Sequence, residues 1–354
     1  MKRRYLSAQA HWLGGRLLRP ISALLLLVGP SGCGGTTPLP PDGGLDAGPD
    51  AGPDGGAVRE APPSYSADYY LAVAGTAVDD LWIGGLGIAR HWDGKHWSRL
   101  AQAIDAGGQF YTAQINAVQA TAGRAMWACI SWPFPDTERW DGTAWTFSPI
   151  SGTAGSELLG STCSGIWAAD PDADVWAVGS HFDSSQLWHW SGQKWAEWSE
   201  PALEGGPLVG ISGTGASDVW AVSQPSGATS HLPSAFVHWD GVHWTVFGTI
   251  TGALAAVHAR TVDDAWAVGD RIHRWDGHAW IEQSAVPARP LAAVWAASST
   301  DVWAVGSAGT ALHFDGLVWS AVDLATTADL TAVWGLGPTD VWVVGAGGTI
   351  RHLP

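Results

Sequence analysis

The sequence predicts an all-β chain: a seven-bladed β-propeller of four-stranded antiparallel blades. Two observations carry the prediction. A hexapeptide centred on tryptophan recurs seven times, and a heptad built on Trp-Asp-Gly follows it six times. A third supports it, because no stretch of the repeating region has sustained helical periodicity.

The hexapeptide reads DLWIGG (80–85), AMWACI (125–130), DVWAVG (174–179), DVWAVS (218–223), DAWAVG (264–269), DVWAVG (301–306) and DVWVVG (340–345). Its tryptophans fall at 82, 127, 176, 220, 266, 303 and 342, spaced 37 to 49 residues apart. That period suits a unit of four short strands. The heptad reads HWDGKHW (91–97), RWDGTAW (139–145), HWSGQKW (189–195), HWDGVHW (238–244), RWDGHAW (274–280) and HFDGLVW (313–319).

Each unit reads as a meander. Strand a is LxAVW, as in LAAVWA (291–296) and LTAVWG (330–335). Strand b is the hexapeptide. Strand c ends at the first Trp of the heptad, Asp-Gly makes the hairpin, and strand d begins at the last Trp. Asp-Gly is a strong hairpin signal because Gly accepts positive φ without a Cβ clash. Alternation along DVWAVG puts Trp303 and Val305 on one face, and Val302 and Ala304 on the other. Both faces are apolar, so sheets must cover both sides. Stacking like blades sets each Trp against the small residues of the next, and radial stacking closes a propeller. The seventh unit lacks a strand d. The expectation is that Pro62 to Ala67, around Tyr65, supplies it beside Thr349 to His352.

The ends of the chain read differently. Residues 1–32 have the form of an export signal: a basic stretch to Pro20, then ISALLLLVG (21–29), too short to span a bilayer. PSGC ends at Cys33 and resembles the lipobox of bacterial lipoproteins in Ser31, Gly32 and Cys33, while Pro30 departs from the usual aliphatic residue. The resemblance implies lipidation of Cys33, and Gly34 after it implies the outer membrane. A soluble secreted or periplasmic protein is the alternative. Residues 33–63 run through tandem Asp-Ala-Gly-Pro with almost no large apolar side chain, so they read as a disordered tether. The folded part is then 64–354.

The formal charge is −16. Five of the 17 basic residues and none of the 33 acids precede Cys33, which leaves −21 on the rest. Such a surface repels phosphate backbones, so nucleic acid is not an expected partner.

Within the repeat, the residue before the strand-c Trp is always basic, and strand b nearly always opens with Asp. Antiparallel pairing brings them together as Asp80–His91, Asp174–His189, Asp218–His238, Asp264–Arg274, Asp301–His313 and Asp340–His352. The second unit pairs Ala125 with Arg139. The pairs resemble in logic the Asp–His–Trp networks of WD40 blades. One His per blade spreads them around a ring, so no metal site is expected from them, and no cofactor is implied.

The Asp-Gly-x-x-Trp phrase resembles the Asp-box hairpin of sialidase-type (BNR) propellers. The whole repeat is similar to that of secreted bacterial lipoproteins whose blades read DVWAVG and HWDGxxW. That likeness implies architecture and assigns no activity. A sialidase needs an arginine cluster and a tyrosine nucleophile. Tyrosine is scarce, at five in the chain, and the arginines fall largely inside the repeat. No nucleophile elbow, phosphate loop or zincin pattern occurs. The expected function is therefore a tethered binding or scaffolding module without catalysis, its partner a protein or a glycan. A lectin is the first alternative and a sialidase-like hydrolase the second. Trp132 and Trp198 stand off the repeat and are the candidate ligand-facing residues. Cys129 and Cys163 lie in adjacent units, and export would favour a disulfide between them.

Overall fold

The computed structural model describes residues 59–60 and 68–353, apart from 101–113, 122–124, 132–135, 151–160, 183, 201–202, 204–205, 226–232 and 284–288. Cys33, the export signal, the tether before residue 59, Tyr65 and Trp132 lie outside these residues.

The described residues form seven four-stranded antiparallel sheets, each a meander from inner strand a to outer strand d. Blade one is Tyr70–Ala77, Asp80–Gly85, Ile88–Trp92 and Trp97–Leu100. Blade four, with the longest outer strand, is Leu208–Gly215, Asp218–Ser223, Ser234–Trp239 and Trp244–Ile250. Strand a of each blade packs on strand a of the next, and that of blade seven (Leu330–Gly337) packs on that of blade one, so the ring is closed.

Blade seven takes its outer strand from the other end of the chain. Arg59–Glu60 pairs with Ile350–Leu353, Arg59 opposite His352 and Glu60 opposite Arg351. The partner strand is the expected one; the residues seen to pair with it lie inside the stretch read as tether, and Pro62 to Ala67 lie outside the described residues.

The seams between blades hold the core. Strand-b indoles 82, 127, 176, 220 and 266 are almost completely buried. Trp127, Trp176, Trp220 and Trp266 each meet the two heptad aromatics of the following blade, and Trp82 meets Trp140. Trp176, for example, lies 5.0 Å from Trp239 at a tilt and 5.3 Å from Trp244 edge to face. Trp220 meets Trp275 and Trp280 at 4.8 and 5.1 Å, and Trp342 meets Trp92 and Trp97 at 6.4 and 6.0 Å across the closing seam. Edge-to-face geometry sets a positive ring edge on a negative ring face. Small residues such as Ala128 and Ala221 share these clusters, but aromatic pairs are the larger partners.

The Gly ending DVWAVG is required by close approach. A Cβ at Gly269 would stand 2.1 Å from the Ala253 carbonyl oxygen, and one at Gly306 would stand 2.2 Å from that of Pro290. Strand a carries a β-bulge near its start in every blade, for example between Leu254 and Ala256.

Candidate functional site

A four-stranded meander has two ends, and the chain uses them differently. The a–b and c–d turns share one end. There the a–b turns are short (78–79, 216–217, 262–263, 299–300), and every c–d turn is a four-residue Asp-Gly or Ser-Gly loop. The b–c and d–a connections share the other end. They include the long segments 101–114, 149–160, 198–207, 224–233, 283–290 and 322–329.

The repeat-bearing end is where the heptad acts. His91, His189, His238, His313 and His352 lie 2.7 to 2.8 Å from Asp80, Asp174, Asp218, Asp301 and Asp340, each through Nε2. Each imidazole also packs on its own blade's strand-b indole, stacked or tilted, with ring centroids 4.2 to 4.4 Å apart. Arg274 donates to Asp264 at 3.1 Å and lies over Trp266 at 5.2 Å.

Blade two, where Ala125 replaces the aspartate, borrows one. Arg139 lies over Trp127 and pairs with Asp172 from the a–b turn of blade three. Sequence reasoning had no signal for that substitute, because it comes from the next unit. It also missed the second donors on the aspartates: Thr76 on Asp80, Thr214 on Asp218 and Arg260 on Asp264. Burial would raise the Asp218 carboxyl, but the hydrogen bonds from His238 and Thr214 outweigh it and hold the pKa below the ordinary value.

The rest of the heptad is equally accounted for. The strand-c indoles of Trp92, Trp190, Trp239 and Trp275 donate to carbonyls of their own blade's a–b turn, at 3.0 to 3.3 Å. The turn aspartates 93, 141, 240, 276 and 315 accept two backbone N–H groups each, which lowers their pKa. The following Gly has positive φ in every copy, as at Gly94 (92°) and Gly241 (95°). Every repeated position of the phrase therefore serves shape. Among the described residues no cluster of three or more His, Cys, Asp or Glu could hold a metal.

The other candidates are placed as follows. Cys129 and Cys163 form a disulfide, with Cα atoms 5.6 Å apart, joining strand b of blade two to strand a of blade three. Trp198 is half-buried and packs against Trp176, Trp239 and His189 at the seam of blades three and four.

The loop-bearing end has different chemistry. Asn116 donates to the Cys163 carbonyl at 2.6 Å, and Ser131 donates to the same oxygen at 2.8 Å, bracing blade two on blade three. Gln114 donates to Asn116 at 2.7 Å and forms a β-bridge with Leu86 of blade one. In blade three Ser161 and His181 are bonded at 2.7 Å, and Phe182 beside them is 70% exposed with φ of 50°. Burial pushes the Asp136 carboxyl at this end up to about 7, although the Ile150 N–H partly offsets it. Between blades five and six, loss of water pushes His258 down to about 4, against a hydrogen bond from its ring to the Ala296 backbone that favours the charged form.

No protein-family model matches the chain, and no curated protein matches it. Solved structures share its fold. YCF48 bound to D1 peptide superposes with a TM-score of 0.62 at 15% identity, over 86% of this chain and 98% of that one. YCF48 from Cyanidioschyzon merolae gives 0.61 at 15%, over 84% and 98%. A catalytically inactive virginiamycin B lyase from Staphylococcus aureus, with quinupristin, gives 0.66 at 12%, over 84% and 99%. At these identities the likeness is one of fold.

Proposed function

We propose that this chain is an exported, lipid-tethered binding module that engages a protein partner through the loop-bearing end of its propeller and performs no catalysis. The observation that carries the reading is the division between the two ends. One end is occupied by a repeated structural phrase with short turns, and the other carries the long, non-repeating connections. Irregular loops on a rigid scaffold are where binding specificity resides. A propeller of the same fold, YCF48, has been captured with a peptide, which supports a protein partner. The repeated indoles are committed to the seams, so stacking on a sugar ring would fall to aromatics off the repeat. The anchor is a lipid on Cys33, and the Asp/Gly/Pro-rich stretch after it holds the propeller away from the outer membrane.

The test uses a photo-reactive phenylalanine analogue in the full chain in its own cell envelope. Placed at Gln224, on the loop-bearing end, it should yield a discrete protein adduct. Placed at Val262, an exposed residue of an a–b turn, it should yield none. Adducts from Val262 alone would reverse the assignment. Palmitate labelling of the wild type and of Cys33→Ser tests the anchor, and equal labelling of both would discard it.

A further inference from the structure

The b–c contact of blade five departs from the others. In blades one and four the buried aspartate meets a histidine through one oxygen and a neutral hydroxyl through the other: Thr76 on Asp80, Thr214 on Asp218. Blade five puts a guanidinium at both places. Arg260 donates from Nε to Oδ2 of Asp264 at 2.6 Å, and Arg274 donates from Nε to Oδ1 at 3.1 Å. Only 4% of the Asp264 side chain is exposed, while Arg260 keeps 31% and Arg274 33%. One acid therefore faces two permanent cations, because a guanidinium does not lose its proton in a protein. This contact alone carries more cation than acid. The Asp–His contacts are at most neutral with the histidine protonated, and Arg139 is balanced by Asp172.

Both guanidinia spend Nε on Asp264, and their terminal Nη groups find no acceptor among the described residues. Blade two shows what an arginine at this place otherwise finds. Arg139, equivalent to Arg274, pairs with Asp172, two residues before strand b of blade three. Two residues before strand b of blade six (Asp301–Gly306) stands Ser299, in the turn Ser298-Ser299-Thr300. The repeat thus offers Arg274 a hydroxyl where it offers Arg139 a carboxylate. The acids flanking this spot are already engaged. Asp301 meets His313 at 2.7 Å, and Asp276 accepts two N–H groups of its own turn. Asp263 accepts from Thr261 at 2.6 Å, although it also feels the Arg260 charge. Arg274 is further fixed by lying 5.2 Å over the fully buried Trp266. Both cations are held in place beforehand, which reduces the side-chain entropy that binding would cost.

We propose that Arg260 and Arg274, with the Ser298–Thr300 turn of blade six, form a binding site for an oxyanion: the carboxylate or phosphate group of a small ligand. The site lies at the repeat-bearing end and is independent of the protein-binding reading, which concerns the other end. Guanidinium Nη groups present parallel donors that match two oxygens of either group, and hydroxyls add neutral donors beside them. The formal charge of −16 works against any loosely held anion, so the affinity has to come from these directed donors.

Titration calorimetry on the full chain tests the site, with inorganic phosphate in one arm and malonate in the other. Ionic strength is held constant with chloride. Saturable binding is expected in at least one arm, and the tighter arm identifies the group as phosphate or carboxylate. Arg260→Thr/Arg274→His rebuilds the Thr–Asp–His set of blades one and four. Its melting temperature should therefore hold, while binding weakens about tenfold or more. Ser299→Asp gives Arg274 the carboxylate that blade three gives Arg139. It should weaken binding by a similar factor without lowering the melting temperature. Lys95→Gln, in the c–d turn of blade one, should leave the affinity unchanged. Heats that never saturate in either arm would overturn the site, as would binding that survives the double variant in a folded chain. Binding that survives Ser299→Asp alone would remove the blade-six turn from it.

Discussion

Asp218 is the clearest residue-scale device in the repeat. It holds His238 and Thr214 at once, and His238 in turn packs at a tilt on Trp220, so one carboxylate fixes strands a, b and c of its blade. Asp218→Ala leaves a half-buried imidazole without its partner and should cost about 1–3 kcal/mol, read as a lower denaturation midpoint. An unchanged midpoint would remove the network from the stability account. Two titrating groups oppose each other near neutrality. His258 has a folded value near 4 against 6.5, so the unfolded chain takes up the proton first and stability falls as pH drops from 6.5 toward 4. Asp136 is raised to about 7 from 3.8, so its contribution is present below pH 3.8 and lost as pH rises through 7. Asp136→Asn should therefore raise the melting temperature at pH 8 and leave it nearly unchanged at pH 3. His258→Gln should flatten the acid limb of the stability profile. Equal shifts at both pH values would contradict the Asp136 assignment.

At the scale of the element, the c–d hairpin separates what each copy needs from what it tolerates. Five copies open the turn with Asp, whose oxygen accepts the N–H groups two and three residues on, as Asp240 does from Val242 and His243 at 2.8 Å. Blade three has Ser191 at this position. Ser191→Asp should supply an acceptor for the corresponding two N–H groups and raise stability by about 0.5 kcal/mol. Gly241 is less forgiving. Its φ is 95°, and a Cβ there would stand 2.9 Å from the Ser217 side chain. Gly241→Ala should cost about 1 kcal/mol or more, with the far-ultraviolet spectrum of the fold retained. The hairpin was legible in the sequence because Asp-Gly is a local signal. The Arg139–Asp172 pair was not, because an aspartate in the turn of the next blade has no fixed place in the repeat.

For the whole molecule, closure of the ring is the decisive event. The closing seam is sealed by Arg59–Glu60 on the outside, by Trp342 against Trp92 and Trp97 in the core, and by Thr331 donating to the Tyr70 carbonyl at 2.8 Å near the axis. Deleting residues 59–60 should lower the melting temperature and move the first proteolytic cuts into blades seven and one; an unaltered cleavage map would argue that the outer strand adds nothing. The Cys129–Cys163 bridge sits in the seam of blades two and three. Its loss in Cys129→Ser/Cys163→Ser should cost about 2–4 kcal/mol, measured against the oxidised wild type.

The sequence alone determined the number of blades, the strand order and the Asp–His and Asp–Arg partners joining strands b and c. These follow from local alternation and turn chemistry, repeated often enough to be read seven times. Tertiary structure decided which blade's indole meets which pair, where the ring is sewn shut, and which turn presents Phe182 to solvent. Those contacts join residues far apart in the chain, and their geometry is set by how twisted sheets stack around an axis rather than by any neighbour in sequence.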